Sequence, residues 1–320
     1  MVDPNIIHKI QVSSSDSTSD AHIVDASNLS TQELNQTIFE MVKNGIKRLK
    51  VLNVNGQRYI GSNLACLECK DVEVTLVGYV GNCLANLNSG VSFIIYGNCG
   101  DDLADTMQSG KVVVHGEARD VVAQALQGGV VYVKGNVGNR AGIQMREYLQ
   151  KRPYLVIGGS ADDYLGEYMA GGVIIVLGLG KVDRGKVVGN YVGSGMVGGR
   201  IYIRGFVEAS KIGVQPPKTD IETYLASLVE EGLLDGALYV SMKDLSYYTL
   251  KAKLPDEIFE HIRRYYLSTH VEPPVCEYRE LNTYEAKEIE PVLGDYISSL
   301  NLPQKLVQEV LSSKFTILSH

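Results

Sequence analysis

The chain begins with a polar segment and continues into short apolar segments separated by turn residues. The first twenty residues end in a Ser/Asp/Thr run from Ser13 to Asp20. Such a run cannot offset the entropy of ordering, so residues 1–21 are expected to form a flexible arm. Ser30 and Glu33 then form a capping box ahead of apolar residues at helical spacing, and an alternating strand follows. Residues 22–71 therefore predict an N-terminal α/β cap.

From about residue 72 the hydrophobic pattern repeats. Short apolar or β-prone runs each end at a glycine, and the first three intervals between these glycines are nineteen residues, whereas later ones are lengthened by insertions. These corner glycines are Gly78, Gly97, Gly116, Gly135, Gly159, Gly178 and Gly205. Nineteen residues are too few for a helical hairpin or a propeller blade, but they suit one coil of a parallel β-helix.

The repeat thus predicts a mainly β fold, a single-stranded solenoid of about seven coils over residues 72–213. Glycine at each corner would supply positive φ where the chain turns sharply. After Gly213, a Pro-Pro pair and helical periodicity predict a mainly helical C-terminal region at 214–320, with one short strand at Ala237 to Ser241.

Composition narrows the function classes. The net charge of −7 and pI near 5.5 argue against a nucleic-acid or anionic-membrane surface, which would need a basic face. The sequence has no 18-residue apolar run and no signal-peptide pattern, so a cytoplasmic location is expected. Five cysteines at irregular spacing predict reduced thiols rather than a disulfide framework.

Two glycine-rich segments raise the question of a ligand site. Residues 193–198 match the dinucleotide fingerprint, but a strand follows them where that motif needs a helix. The other segment is a loop that adds positive charge to glycine, and either an anion site or an ordinary charged surface loop fits it. Its candidate residues are Gly178, Gly180, Lys181, Arg184 and Lys186.

The remaining candidates for chemistry are cysteines and paired carboxylates. Cys66 and Cys69 form a lone C-x-x-C with no second spaced pair, so idle or buried thiols are the expected interpretation and no metal site is predicted. Asp101-Asp102 and Asp162-Asp163 suggest acid–base work, although acidic residues also solvate turns. The six histidines lie in no nucleophile motif. No catalytic residue is therefore assigned.

Four stretches of the repeat region resemble a known domain. They are residues 53–61 (NVNGQRYIG), 135–142 (GNVGNRAG), 165–177 (LGEYMAGGVIIVL) and 188–204 (VGNYVGSGMVGGRIYIR). Together they resemble the GXGXG domain at the C-terminal end of the glutamate synthase large subunit, in particular the archaeal-type subunit that carries this domain alone. One component of formylmethanofuran dehydrogenase has a similar domain. The resemblance covers about residues 22–213 and, more weakly, 284–320.

The resemblance implies a right-handed β-helix that packs against glutaminase and FMN-binding synthase modules without supplying catalytic residues. FMN and an iron–sulfur cluster would then belong to partner subunits, no cofactor would bind this chain, and self-association stays open. The alternatives are a component of a formylmethanofuran dehydrogenase, or a ligand-binding subunit using the loop at 178–186. The chain departs from the family in two places. Arg119 stands where neighbouring repeats carry a second glycine (Gly81, Gly100 and Gly138), and residues 214 to about 280 match nothing in the family.

Overall fold

One sheet organises the protein. The structure, a computed structural model, describes residues 21–67, 69, 71–180, 187–214, 217–243, 245, 247–267 and 272–320. Its strands form an 11-stranded sheet in the order β1-β2-β3-β4-β5-β6-β7-β8-β9-β11-β10. Strands β1 to β9 pair in parallel, whereas β11 runs antiparallel to both β9 and β10.

The strands are β1 (His22–Asp25), β2 (Arg48–Asn55), β3 (Glu73–Tyr79), β4 (Ser89–Tyr96), β5 (Ser109–Val114), β6 (Val130–Val133), β7 (Tyr154–Ile157), β8 (Ala170–Val176), β9 (Gly198–Arg204), β10 (Val275–Glu280) and β11 (Lys314–Ser319). The helices are α1 (Thr31–Lys43), α2 (Lys218–Glu230), α3 (Gly236–Met242), α4 (Tyr247–Lys253), α5 (Asp256–Leu267), α6 (Thr283–Ser299) and α7 (Lys305–Leu311). Short 3₁₀ helices lie at Ser62–Cys66 and Ala209–Lys211.

The nineteen-residue period sets the strand register. Val74 pairs with Phe93, Phe93 with Val112, and Val112 with Val131, so corresponding residues of successive repeats lie side by side. The next pair, Val131 with Leu155, absorbs a five-residue insertion without shifting the alternation of buried side chains. The repeat spacing read from the sequence is thus confirmed as strand register.

The fold class predicted from the sequence, a right-handed parallel β-helix of about seven coils, is wrong. The described strands form one open, mixed sheet with helices. Its strands are mostly parallel, and the antiparallel strands β11 and β10 lie at one edge. Each repeat contributes a single strand of this sheet. The rest of the repeat returns through turns that meet their neighbours by isolated bridges, such as Val80 with Cys99, and by single hydrogen bonds. A period fixes register, but it does not reveal how the chain between strands is arranged.

The two faces of the sheet bury separate cores. One core lies between the sheet and the turn segments, where Val74 and Leu76 pack with Leu84 and Ala85. On the other face, helices α6 and α7 pack against β5 to β9 and β11. Helix α6 is also held by polar contacts, because Asp295 accepts hydrogen bonds from Lys111 Nζ at 2.6 Å and from Tyr132 Oη at 2.9 Å. Helices α2 to α5 enclose a third core of their own.

The flanking segments agree only partly with the sequence analysis. The capping box of Ser30 and Glu33 is confirmed at the start of α1. The short strand expected at Ala237 to Ser241 is wrong, since α3 occupies that segment behind the N-cap Asp235. Strands β10 and β11 were not predicted. The expected arm at residues 1–21 falls, apart from its last residue, outside the described residues.

Candidate functional site

The turn segments that follow the strands share an unusual backbone. In one repeat, Asp102, Ala104 and Thr106 have φ values of 59°, 59° and 53°. Their N–H groups donate alternately to the following repeat and the preceding one: Asp102 to Asp120 O at 3.0 Å, Ala104 to Leu84 O at 2.8 Å, and Thr106 to Gln124 O at 2.8 Å. This pattern recurs in successive repeats and produces a stack of left-handed turns, here called the turn strip.

Two columns of residues run along the turn strip, and every member has positive φ. The first column is Tyr59, Cys83, Asp102, Val121, Arg140, Tyr164 and Tyr191; the second is Leu87, Thr106, Ala125, Gln144, Tyr168 and Gly195. None of these side chains is fully buried. Between the columns stand small buried residues such as Ala104 and Ala123, which leave room for the backbone of neighbouring repeats.

A ladder of Asn and Asp side chains locks the turn strip together. In each step an Oδ1 atom accepts the backbone N–H of the equivalent residue one repeat on. The steps run from Asn82 to Asp101 (3.2 Å), Asp120 (3.2 Å), Asn139 (2.8 Å), Asp163 (3.3 Å) and Asn190 (2.7 Å). Side-chain amides add bonds across the same steps, as from Asn139 Nδ2 to Asp120 at 3.3 Å. We call these six residues the Asx ladder.

The Asx ladder accounts for part of the acidic signal in the sequence. One member of each suggested carboxylate pair, Asp101 of Asp101-Asp102 and Asp163 of Asp162-Asp163, belongs to the ladder, so its Oδ1 accepts a backbone N–H group. Asp102 lies beside the ladder, where burial and then the charges of Asp105 and Asp101 raise the pKa of its carboxyl above the usual value. The thiol of Cys83 is 3.9 Å from Asp102, and burial raises the pKa of that thiol, which disfavours the reactive thiolate.

The C-terminal end of the turn strip carries a cluster of stacked aromatic side chains. The Tyr164 and Tyr191 rings stack with centroids 4.7 Å apart and planes 20° apart, and the Arg140 guanidinium lies 4.9 Å from the Tyr164 centroid. Arg140 Nε donates to Glu167 at 2.9 Å, and this hydrogen bond raises the pKa of Arg140 above its ordinary value. The Tyr168 ring lies over Gly195, where a Cβ would overlap it. We call Tyr164, Tyr168 and Tyr191 the tyrosine patch.

The tyrosine patch was not predicted from the sequence, although the sequence carries a signal of it. Arg140 and Tyr164 stand five residues after the corner glycines Gly135 and Gly159, as Asp102 stands five after Gly97. Since residues at one offset stack in a repeat, that spacing predicts contact between their side chains. The offset of Tyr191 is hidden by the insertion that precedes it.

The corner glycines are required mainly because the backbone of the preceding repeat lies too close to leave room for a Cβ atom. Positive φ is present at Gly78, Gly178 and Gly205, but the positive φ expected at Gly97, Gly116, Gly135 and Gly159 is wrong. At Gly97 a Cβ would overlap the carbonyl oxygen of Gly78, and at Gly159 it would lie 2.8 Å from the carbonyl carbon of Gly135. The glycine column therefore exists because one backbone runs directly against the next.

The structure gives little support to the two glycine-rich segments that were considered as ligand sites. In the loop predicted to bind an anion, Lys181, Arg184 and Lys186 lie outside the described residues, and a Cβ at Gly180 would meet nothing within 4 Å. The fingerprint-like segment at 193–198 is covered, with a Gly193 Cβ position only 3.2 Å from side-chain atoms of Leu318 and Pro274. That segment leads directly into β9, not into a helix.

The two cysteines of the C-x-x-C motif differ in burial. Cys66 is exposed, whereas Cys69 is buried with its thiol 3.6 Å from Leu64 O, and burial raises the pKa of Cys69. Within the described part of the chain, no group of three or more His, Cys, Asp or Glu residues is placed to hold a metal ion.

A cleft of about 460 Å³ opens between α4 and the start of β10. Its lining includes Lys251, Glu272, Cys276 and His320. The single N–H of Arg263 Nε lies between both carboxylate oxygens of Glu272, each 3.1 Å away, and Nη2 donates to Oε2 at 3.1 Å, which fixes the carboxylate to α5. Burial raises the pKa of Cys276 to about 11, so its thiol is protonated at neutral pH and is a weak nucleophile. Neither Cys276 nor Glu272 is therefore presented as an activated group.

Comparison with known proteins places the chain in a family. Residues 20–224 match the GXGXG motif family, which confirms the GXGXG resemblance seen in the sequence. A protein of Methanocaldococcus jannaschii named uncharacterized protein MJ1350 is 48% identical over 196 residues, which are 60% of this chain and 74% of that relative. Among the described helices, none has the length and apolar character needed to cross a bilayer. The chain belongs to the GXGXG motif family.

Proposed function

We propose that this chain is a scaffold and interaction subunit of a glutamate synthase-type assembly, in which it holds glutaminase and FMN-binding synthase subunits in register. The observation that carries the proposal is the Asx ladder. In a GXGXG domain whose polar turn residues hydrogen-bond to the next repeat, the side chains serve rigidity. A rigid surface that does not reorganise on binding suits a scaffold, because little conformational entropy is lost when partners dock.

The Asx ladder has two effects: it satisfies backbone N–H groups, and it fixes the orientation of the side chains that accept from them. Each carboxylate or amide oxygen satisfies an N–H group that would otherwise be left between stacked turns, and such bonds to ionised acceptors are the stronger kind. A carboxylate held in this way is oriented toward the backbone of its neighbour and away from any substrate. FMN and the iron–sulfur cluster, under this proposal, belong to the partner subunits, and the chain alone produces no glutamate.

The proposal is tested by recovering the tagged chain from its native cells at low ionic strength and identifying co-purifying proteins by mass spectrometry. We expect to recover a glutaminase and an FMN-binding synthase in amounts nearly equal to that of the chain. The recovered material should also show flavin absorbance and glutamine-dependent formation of glutamate. A variant with Asp120→Ala, which breaks the ladder at its centre, should lower the yield of the assembly.

Two other results would replace the proposal. Recovery of the chain alone, even after cross-linking, would remove the scaffold role and favour a ligand-binding subunit. Co-purification of a molybdenum or tungsten enzyme instead of the glutaminase would assign the chain to a formylmethanofuran dehydrogenase-type assembly.

A further inference from the structure

The tyrosine patch stands on backbone that bulky residues rarely adopt. Tyr164, Tyr168 and Tyr191 have φ values of 64°, 51° and 60°. For a residue with a large side chain the left-handed region is an outlier, and such outliers concentrate where function requires them. Tyrosine at these positions therefore works against local backbone preference.

The fold itself does not require the rings. At the position of Tyr168 the adjacent repeats carry Gln144 and Gly195, and the repeat before Gln144 carries Ala125, all with positive φ. The Tyr168 side chain is 52% exposed and that of Tyr191 39%, so neither is a core residue whose burial would offset the backbone strain. Packing of these rings within the chain is limited to the stacking of Tyr191 on Tyr164 and the cover of Gly195 by Tyr168, and it leaves much of each residue exposed.

The patch has the composition of a protein-binding surface. Tyrosine and arginine are the residue types that dominate binding energy at protein interfaces, and Arg140, Tyr164 and Tyr191 are already stacked in a fixed arrangement. Arg140 is neutralised by Glu167, while Asp162 beside Tyr164 is exposed and the whole chain carries a net charge of −7. The partial exposure of Tyr168 and Tyr191 and the neighbouring acidic charge both favour a cation.

We infer that the tyrosine patch is a docking surface on which a partner protein places an arginine or lysine side chain against the rings of Tyr168 and Tyr191. This inference rests on the proposed scaffold role and adds where the partner binds. Within the chain, Arg140 over Tyr164 shows the contact that the partner would repeat on the outer rings.

Glycine substitution separates binding from folding at these positions. The double variant Tyr168→Gly with Tyr191→Gly removes both rings and leaves the left-handed backbone intact. Tyr59→Gly is the matched control, since Tyr59 has φ of 54° and is 51% exposed at the opposite end of the turn strip. The melting temperature of each variant should stay within about 4 °C of the wild type, because relief of backbone strain and the entropic cost of glycine are similar in size.

The measurement is the amount of glutaminase and synthase subunit recovered per mole of the chain. The double glycine variant should recover at least tenfold less than wild type, Tyr59→Gly should equal wild type, and Tyr168→Phe with Tyr191→Phe should restore most of the binding because the ring faces remain. Replacing Tyr168 by p-benzoylphenylalanine should cross-link to a partner peptide that contains Arg or Lys.

The outcomes distinguish the inference from the function on which it rests. If wild type recovers the partners and the double glycine variant recovers them equally well, the tyrosine patch is not the docking surface but the scaffold role stands. If wild type recovers no partner, both are overturned. Cross-linking of Tyr168 to a second copy of this chain would show that the patch is a self-association surface, which contradicts the inference.

Discussion

Gly97→Ala should destabilise the protein strongly even though Gly97 has no left-handed φ. The added Cβ would overlap the carbonyl oxygen of Gly78, and it would also approach that residue's Cα to 3.5 Å. Gly78 cannot move away easily, because the strands on either side are held by the pairing of Val77 with Tyr96 and by the hydrogen bond from Val80 N to Asn98 O at 3.0 Å.

The magnitude follows from what must be displaced. Relieving the overlap means separating two stacked turns, which costs the overpacking penalty of about 1–3 kcal/mol and at least one backbone hydrogen bond of about 1 kcal/mol. The expected loss in the free energy of unfolding is therefore about 3 kcal/mol, a large fraction of the stability of a typical domain.

Two further alanine substitutions separate close approach from backbone conformation. At Gly56 φ is +84° and a Cβ would meet nothing within 4 Å, so Gly56→Ala should cost only the left-handed penalty of about 1 kcal/mol. At Gly294, inside α6, there is neither contact nor positive φ, so Gly294→Ala should stabilise by about 0.5–1 kcal/mol.

The assay is urea denaturation followed by circular dichroism, with the dependence on denaturant concentration required to be the same for all variants. The expected order of stability is Gly294→Ala, wild type, Gly56→Ala, Gly97→Ala. Equal losses at Gly97 and Gly56 would refute the close-approach explanation and restore backbone conformation as the reason for the glycine column.

Three further predictions concern single side chains. Asp120→Ala removes the acceptor of two hydrogen bonds in the Asx ladder and should cost about 2 kcal/mol in urea denaturation, whereas Asp120→Asn, which keeps an acceptor oxygen, should cost less than half of that. Burial, and then the charge of Lys134, lowers the pKa of His115 from 6.5 to about 4, so the unfolded chain binds more protons between these values. Stability should consequently fall as pH drops from 6.5 toward 4, and His115→Gln should flatten that slope in a series of urea midpoints against pH; an unchanged slope would contradict it. Tyr132→Phe removes the hydrogen bond from Tyr132 to Asp295 that connects the sheet with α6, and it should lower the free energy of unfolding by about 1–2 kcal/mol in urea denaturation. A free energy of unfolding equal to that of the wild type would show that this hydrogen bond does not stabilise the protein.

The sequence predicted strand positions well because strand register depends on local spacing. A buried alternation that ends at glycine recurs every nineteen residues, and the structure pairs Val74, Phe93 and Val112 at that spacing. Spacing does not specify the course of the chain between strands, which is why the fold class was wrong. It also did not reveal β10, whose residues Glu277, Arg279 and Glu280 give a polar edge strand no hydrophobic alternation.

The error at Ala237 to Ser241 shows how a cap overrides propensity. Tyr239 and Val240 favour a strand, but Asp235 accepts hydrogen bonds from Ala237 N at 2.9 Å and Leu238 N at 3.2 Å, which starts a helix. Burial of Met242 at the end of α3 then fixes the helical choice.

The spacing in the sequence indicates only that Arg140 and Tyr164 lie together, and the rest of the candidate site could not be predicted for a different physical reason. The first column of the turn strip holds residues as unlike as Cys83, Val121 and Tyr164, so no chemical motif marks it, and nothing in a tyrosine predicts a left-handed backbone. Backbone hydrogen bonds to the following repeat hold that backbone alike in the members of the column from Tyr59 to Tyr164. Because the backbone is fixed without help from these side chains, their identity is free to serve another purpose. Tyr168 and Tyr191 are 52% and 39% exposed on this left-handed backbone, and it is on this ground that we propose a binding role for them.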